Sequence, residues 1–328
     1  MTDFRTELDD TLRLILTGEA SAAADCVHAT FAPACKLNVA HPVNQLSGPE
    51  AVWADWINPL RQAMPGAMRR SDLVMGGQSV THGGTWVASM SHLVGNFVEP
   101  LFGIQPHGKL VFLRLGEFYR LEDGQVTEGY VLADFLDLLR QTGRMPLPHL
   151  LGTEMLFPVP ATQDGVPPQF PEESNGSREL VEAMLTDLRD YDPETFDSKG
   201  QTGPGGYWHE NMLWYGPAGI GSNYTYDGFQ RDHRAPFLTA FPDRVGGNHF
   251  ARFGDGRYVA SGGWPSMTMT HKGPYLGIAA TDKPLTLRVM DFWRVADGQI
   301  MENWVYLDMV ELFLQMGVDV IAQAREMA

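Results

Sequence analysis

Cysteine is nearly missing: Cys26 and Cys35, both in the first half, are the only two among 328 residues. That excludes a disulfide-built secreted scaffold, and two free thiols fit a reducing compartment. Cations are scarce as well, with 24 Lys and Arg against 40 Asp and Glu and a formal charge of -16. Nucleic acids and anionic membrane surfaces both require clustered positive charge, so neither partner is expected. No apolar run reaches the ~18 residues of a membrane helix. The stretch Met1–Asp10 is acidic without an apolar core, so no secretory signal is expected. GxxxxGKS or GxxxxGKT, His-Glu-x-x-His, GxSxG and paired CxxC motifs are all lacking, and Gly219-Ile220-Gly221 lacks the third glycine of a dinucleotide loop. No metal, nucleotide or other cofactor is implied. What remains is a soluble, cytoplasmic protein acting on small molecules, with 44% hydrophobic residues from which to build its cores.

What the sequence does have is a repeat. Leu113–Gly143 aligns without gaps on Leu287–Gly317, with 13 of 31 positions identical and most others conservative. Earlier segments match more loosely, as Asp55-Trp56-Ile57 through Met64-Pro65 against Asp232-His233-Arg234 through Phe241-Pro242. Between the copies, residues 146–176 carry seven prolines, which oppose both helix and central strand. The chain is therefore read as two domains, 1–145 and 177–328, joined by an extended proline-rich linker at 146–176.

Both copies show the same internal order. Apolar spacing predicts helices over Thr6–Thr17 and Glu179–Leu188. Alternating runs then predict strands, with hairpin turns at Asp123-Gly124 and Asp297-Gly298. A short amphipathic helix closes each copy, from Phe135 to Gly143 and from Met309 to Gly317. The fold class expected is α+β: two tandem cone-shaped domains, each a curved antiparallel sheet closed by N-terminal helices.

Glu302-Asn303-Trp304-Val305-Tyr306-Leu307-Asp308 followed by Gln315-Met316-Gly317 resembles the end of SnoaL-like polyketide cyclases, within the nuclear transport factor 2-like superfamily. The first copy keeps the pattern as Glu128 to Asp134 and Gln141-Thr142-Gly143, with Tyr130 at the Trp304 position. Trp214-Tyr215-Gly216-Pro217, Phe241-Pro242-Asp243 and His271-Lys272-Gly273 through Gly277-Ile278 extend the resemblance in the second copy. It implies a cofactor-free, aldol-type ring closure in which Asp308, and Asp134 in the first copy, serves as acid and base beside His271. In the first copy His92 matches His271 only across a gap of about five residues.

Strand parity puts Glu302, Trp304, Tyr306 and Asp308 on one face, where a carboxylate in an aromatic-lined concavity would have its pKa raised toward neutrality. Against this, Asp308 and Asp134 each directly precede a helix, with Glu311 and Asp137 three residues on, which is also N-cap and capping-box spacing. His271 is equally a core or rim residue by its pattern. Trp208, His209, Trp214, Tyr215, Trp264, Trp304 and Tyr306 are candidate substrate-binding residues, and aromatics of this kind equally fill cores. Arg288 and Asp291 fall on opposite faces of their strand, which leaves surface pairing as the default for both. The functions that remain are a lyase or isomerase, a dehydratase or hydrolase on the same scaffold, and a non-catalytic carrier of a hydrophobic small molecule. The two copies are expected to pair through their sheets within one chain, leaving further homodimerisation open.

Overall fold

The computed structural model describes residues 3–327 apart from 149, 155–157, 168, 169, 199, 203 and 204. The first copy opens with helices Phe4–Thr17 and Ala20–Thr30, the second with helix Pro171–Asp187. This last helix starts inside the stretch whose prolines suggested an extended linker. Pro171 sits in its first turn, where a missing N–H leaves no hydrogen bond unmade. Among the described residues no helix is long and apolar enough to cross a membrane.

The first sheet comprises β1 (Phe31–Val39), β2 (Asn44–Ser47), β3 (Met68–Gln78), β4 (Thr85–Asn96), β5 (Leu110–Glu122) and β6 (Gln125–Ala133), in the order β2-β1-β6-β5-β4-β3. The second comprises β7 (Trp208–Tyr215), β8 (Ser222–Tyr224), β9 (Val245–Gly246), β10 (Ala251–Asp255), β11 (Tyr258–Thr270), β12 (Pro284–Ala296) and β13 (Gln299–Leu307). Its order is β10-β11-β12-β13-β7-β8, with β9 paired to β11. Each sheet has one parallel pair, β1 with β6 and β13 with β7, and is otherwise antiparallel. Both copies are thus the same α+β unit.

At the two Asp-Gly turns, Asp123 and Asp297 have φ of 49° and 51°, followed by Gly124 and Gly298 at 78° and 74°. Positive φ at both central positions gives the turn the twist of the strands it joins, which is why these dipeptides mark hairpins. A five-residue π-helical turn precedes a short helix at the same place in each copy, Trp53–Ile57 before Asn58–Ala63 and Gln230–Arg234 before Ala235–Ala240.

Strand alternation divides the side chains of each sheet between two destinations. From β5 and β12, Phe118 and Phe292 meet across the copies with ring centroids 5.5 Å apart. Tyr130 of β6 stacks on Phe250 at 3.7 Å. Gly116 lies under the Tyr306 ring so closely that a Cβ there would come within 2.8 Å of it. The opposite face of the second sheet, with Leu287, Val289, Asp291 and Trp293 from β12 and Asn303, Val305 and Leu307 from β13, lines a cavity inside the second copy. Residues between the copies strap both: Gly165 accepts from Val74 N–H at 2.9 Å, and Pro158 accepts from Trp304 Nε1–H at 3.1 Å.

Candidate functional site

The cavity measures about 470 Å³. Its floor is the inner face of the second sheet. Its walls are the face of helix Pro171–Asp187 carrying Met184 and Leu185, and the turn and short helix that contribute His233, Arg234, Phe237 and Leu238. Pro242, Gly246 and Gly247 are exposed and form its rim. The lining is largely apolar or aromatic, as a pocket for a hydrophobic ligand requires.

Asp291 stands on that floor between Val289 and Trp293. It keeps partial solvent access only because the cavity opens beside it. Burial pushes its carboxyl up to about 7, against the opposing pull of the Asn303 hydrogen bond and the charge of Arg252. Asn303 lies on the neighbouring strand opposite Trp293, two residues along from Asp291; its Nδ2 donates to Asp291 Oδ1 at 3.4 Å and to the Phe292 carbonyl at 3.1 Å. Ser261, directly opposite Asp291 on β11, contacts His249 Nδ1 at 2.9 Å and accepts from Arg252 Nε at 3.1 Å. Burial lowers His249 to about 4 and His233 to about 3, aided by nearby arginines, so both imidazoles are neutral at pH 7. His233 also stacks flat on Trp214, centroids 4.1 Å apart. Two indole N–H groups of the lining, on Trp208 and Trp293, are buried with no hydrogen-bond partner. Among the described residues no three His, Cys, Asp or Glu side chains converge as a metal-ligand set.

Of the sequence candidates, Trp208 and Trp214 line this cavity. The others are placed elsewhere. Glu302, Trp304, Tyr306 and Asp308 do share a face, but it turns away from the cavity: Tyr306 and Asp308 meet the first copy, and Glu302 and Trp304 meet the intervening segment at Ala161 and Pro158. The cavity receives Asn303, Val305 and Leu307 instead. Asp308, 2% exposed, accepts from Glu311 N–H at 3.2 Å as a helix cap, from Arg288 Nη1 at 2.8 Å, and from His41 N–H of the first copy at 2.9 Å. Asp134 mirrors it, accepting from Asp137 N–H at 3.0 Å and from Ala218 N–H of the second copy at 3.1 Å. Burial raises both carboxyls, that of Asp134 to about 6.

His271 is fully buried at the end of β11, its Nδ1 3.0 Å from Thr281 Oγ1 and its ring 5.6 Å from Phe241. Tyr215 stacks on Trp304 at 5.3 Å, away from the cavity. Trp264 holds Arg288 over its ring at 4.6 Å and packs beside Tyr130 at 5.6 Å. A register shift between Gly263 and Met267 breaks the strand's alternation; Ser266 and Met267 turn to the cavity and Trp264 to the first copy. His209 accepts from Asn211 N–H at 3.1 Å and lines a separate recess with Asp297.

The family model described as SnoaL-like polyketide cyclase matches residues 13–142 and again residues 194–316. The chain belongs to the SnoaL-like polyketide cyclase family. No curated protein matches it. Solved structures similar to it include a SnoaL-like protein from Jannaschia sp. CCS1, at 20% identity over 45% of this chain and 98% of that one, TM-score 0.35. AclR from Streptomyces galilaeus is 19% identical over 43% of this chain and 99% of its own, TM-score 0.34. TsrD from Streptomyces laurentii is 17% identical over 44% and 98%, TM-score 0.36.

The two SnoaL-like copies treat one position differently. Glu117 stands in the first copy where Asp291 stands in the second, but it is clamped by Arg69 Nη2 at 2.7 Å and accepts from Ser89 Oγ at 2.9 Å and Ser91 Oγ at 2.8 Å. Arg69 also reaches Asp9 of the first helix at 3.3 Å. The acid that faces an open cavity in one copy is therefore sealed into an ion-pair network in the other. Surface pairing is the default for Asp291 in the sequence, because no motif surrounds it; the structure places it in the cavity lining instead. The available signal was an acidic residue in both copies at the centre of an otherwise apolar strand face, Leu287, Val289 and Trp293.

Proposed function

We propose that the second copy is a cofactor-free lyase or isomerase acting on a hydrophobic, carbonyl-bearing small molecule, with Asp291 as the proton carrier. The observation that carries this reading is a carboxyl near pH-neutral titration on the floor of an apolar cavity. A group with a pKa of about 7 is divided between acid and base at neutral pH, so it can take a proton from an activated carbon and return one to oxygen. Asn303 Nδ2 orients the carboxyl. The stacked pair Trp214 and His233 offers a flat wall for a ring system. Asp308 and Asp134 are assigned structural roles, and the first copy serves as a packing partner.

The experiment is incubation with a panel of polyketide-like β-dicarbonyl compounds, with mass spectrometric detection of dehydrated or cyclised products. Turnover by the wild type that is lost in Asp291→Asn and kept in Asp308→Ala supports the reading. Turnover that survives Asp291→Asn contradicts it.

A further inference from the structure

Three guanidinium groups line the same cavity, that of Arg189 exposed and those of Arg234 and Arg244 in its wall, and among the described residues none has a carboxylate oxygen within ion-pair distance. Arg234 is 5% exposed, lines the cavity wall, and has no hydrogen-bond partner for Nε or Nη2. Arg244 lines the cavity beside it; both guanidiniums rest on the Tyr191 ring, at 5.7 Å and 5.3 Å from its centroid. Of the carboxylates whose charge Arg234 feels, Asp187 already accepts from Gly200 N–H at 2.9 Å and Asp197 from Gln230 Nε2 at 2.6 Å. Two like charges drawn to one neutral ring, one of them buried and with donors unmade, are costly unless something anionic meets them.

The fold does not ask for them. Arg234 ends the π-helical turn Gln230–Arg234, and the same turn in the first copy ends in Ile57, equally buried. By the same alignment Arg244 corresponds to Ala67. The architecture is therefore satisfied with apolar residues at both places, and the arginines belong to the second copy alone. They also run against the composition, since the chain as a whole carries a charge of -16.

We propose that Arg234 and Arg244 form an anion subsite, so that the ligand of the second copy carries a carboxylate or phosphate group in addition to its hydrophobic body. This rests on the cavity being the ligand site, as proposed above, but not on the role of Asp291. A guanidinium presents paired N–H groups to two oxygens of one anion, which fixes orientation as well as charge. A ligand anchored in this way at the wall has its orientation over the floor set by that anchor.

The test is titration calorimetry on the full chain with three probes of one shape: 2-naphthoate, 2-naphthyl phosphate and neutral 2-naphthamide. The subsite predicts that at least one anion binds 10-fold or more tighter than the amide, and the tighter anion identifies the group. The preference is lost in Arg234→Ile and in Arg244→Ala, which install the residues of the first copy. Should Arg234→Ile fail to fold, the wild-type comparison and Arg244→Ala decide alone. Equal or tighter binding of the amide, no binding of any probe, or a preference surviving both arginine changes overturns the proposal. Loss of the preference as a finding, with proton transfer still dependent on Asp291, would remove only the subsite; a preference retained while Asp291→Asn leaves proton transfer intact would remove only the catalytic reading.

Discussion

Asp134 and Asp308 cap equivalent helices in the two copies, and each reaches across to accept a backbone N–H of the other copy, from Ala218 at 3.1 Å and His41 at 2.9 Å. Two helix caps are thereby also two pins between the domains. Asp308→Ala removes the cap, leaves Arg288 without its ion-pair partner and frees His41 N–H. We expect a loss of about 1–3 kcal/mol in urea unfolding, with ligand affinity in the second cavity unchanged.

The Gly116–Tyr306 contact explains an inequality between the copies, in which a small residue and a large one face each other across the interface. The first copy has Gly116 where the second has Met290, and Leu132 where the second has Tyr306. Gly116→Ala should destabilise by about 1–3 kcal/mol, because a Cβ there meets the Tyr306 ring. Tyr306→Leu should recover part of that loss in the double variant, and a double-mutant cycle in chemical denaturation measures the coupling.

Arg69 and Glu117 fill the first copy with charge that only their pairing makes tolerable. Arg69→Met leaves Glu117 buried beside Asp9 without its cation and should cost roughly 3–5 kcal/mol. Adding Glu117→Gln should return part of this. Neither change should alter ligand binding in the second copy, as calorimetry would show.

Much of the fold was legible because its signals are local. The Asp-Gly turns, the closing helices before Gly143 and Gly317, and the 174-residue offset between copies each depend on a few neighbouring residues. The candidate site was less legible for a geometric reason. Parity groups Trp304, Tyr306 and Asp308 correctly but does not say which of the two faces is hollow. Here Tyr306 and Phe292 pack against the other copy, so aromatic residues on a shared face did not mark the cavity. Trp264 turns from the cavity for a separate reason, a register shift that no alternation rule anticipates.

Stability should also report on Asp291. Its carboxyl binds a proton more tightly folded, near pH 7, than unfolded, near its ordinary value of 3.8. The stability this contributes is complete below about pH 4 and is lost as pH rises through 7. Compared with the wild type, Asp291→Asn should lack that part of the decline, a difference of about 4 kcal/mol between pH 4 and 8. Parallel urea titrations at several pH values measure it.

Proton transfer by Asp291 inside the second cavity can be read directly by carbon-acid exchange. 2-Tetralone, a flat bicyclic ketone, is incubated with the protein in D2O at pH 7, and loss of its α-proton signals is followed by NMR. With Asp291 as the proton carrier, exchange is faster than in buffer, reduced about 100-fold or more in Asp291→Asn and unchanged in Asp308→Ala. Exchange that persists in Asp291→Asn, or that vanishes in a folded Asp308→Ala protein, would contradict that role.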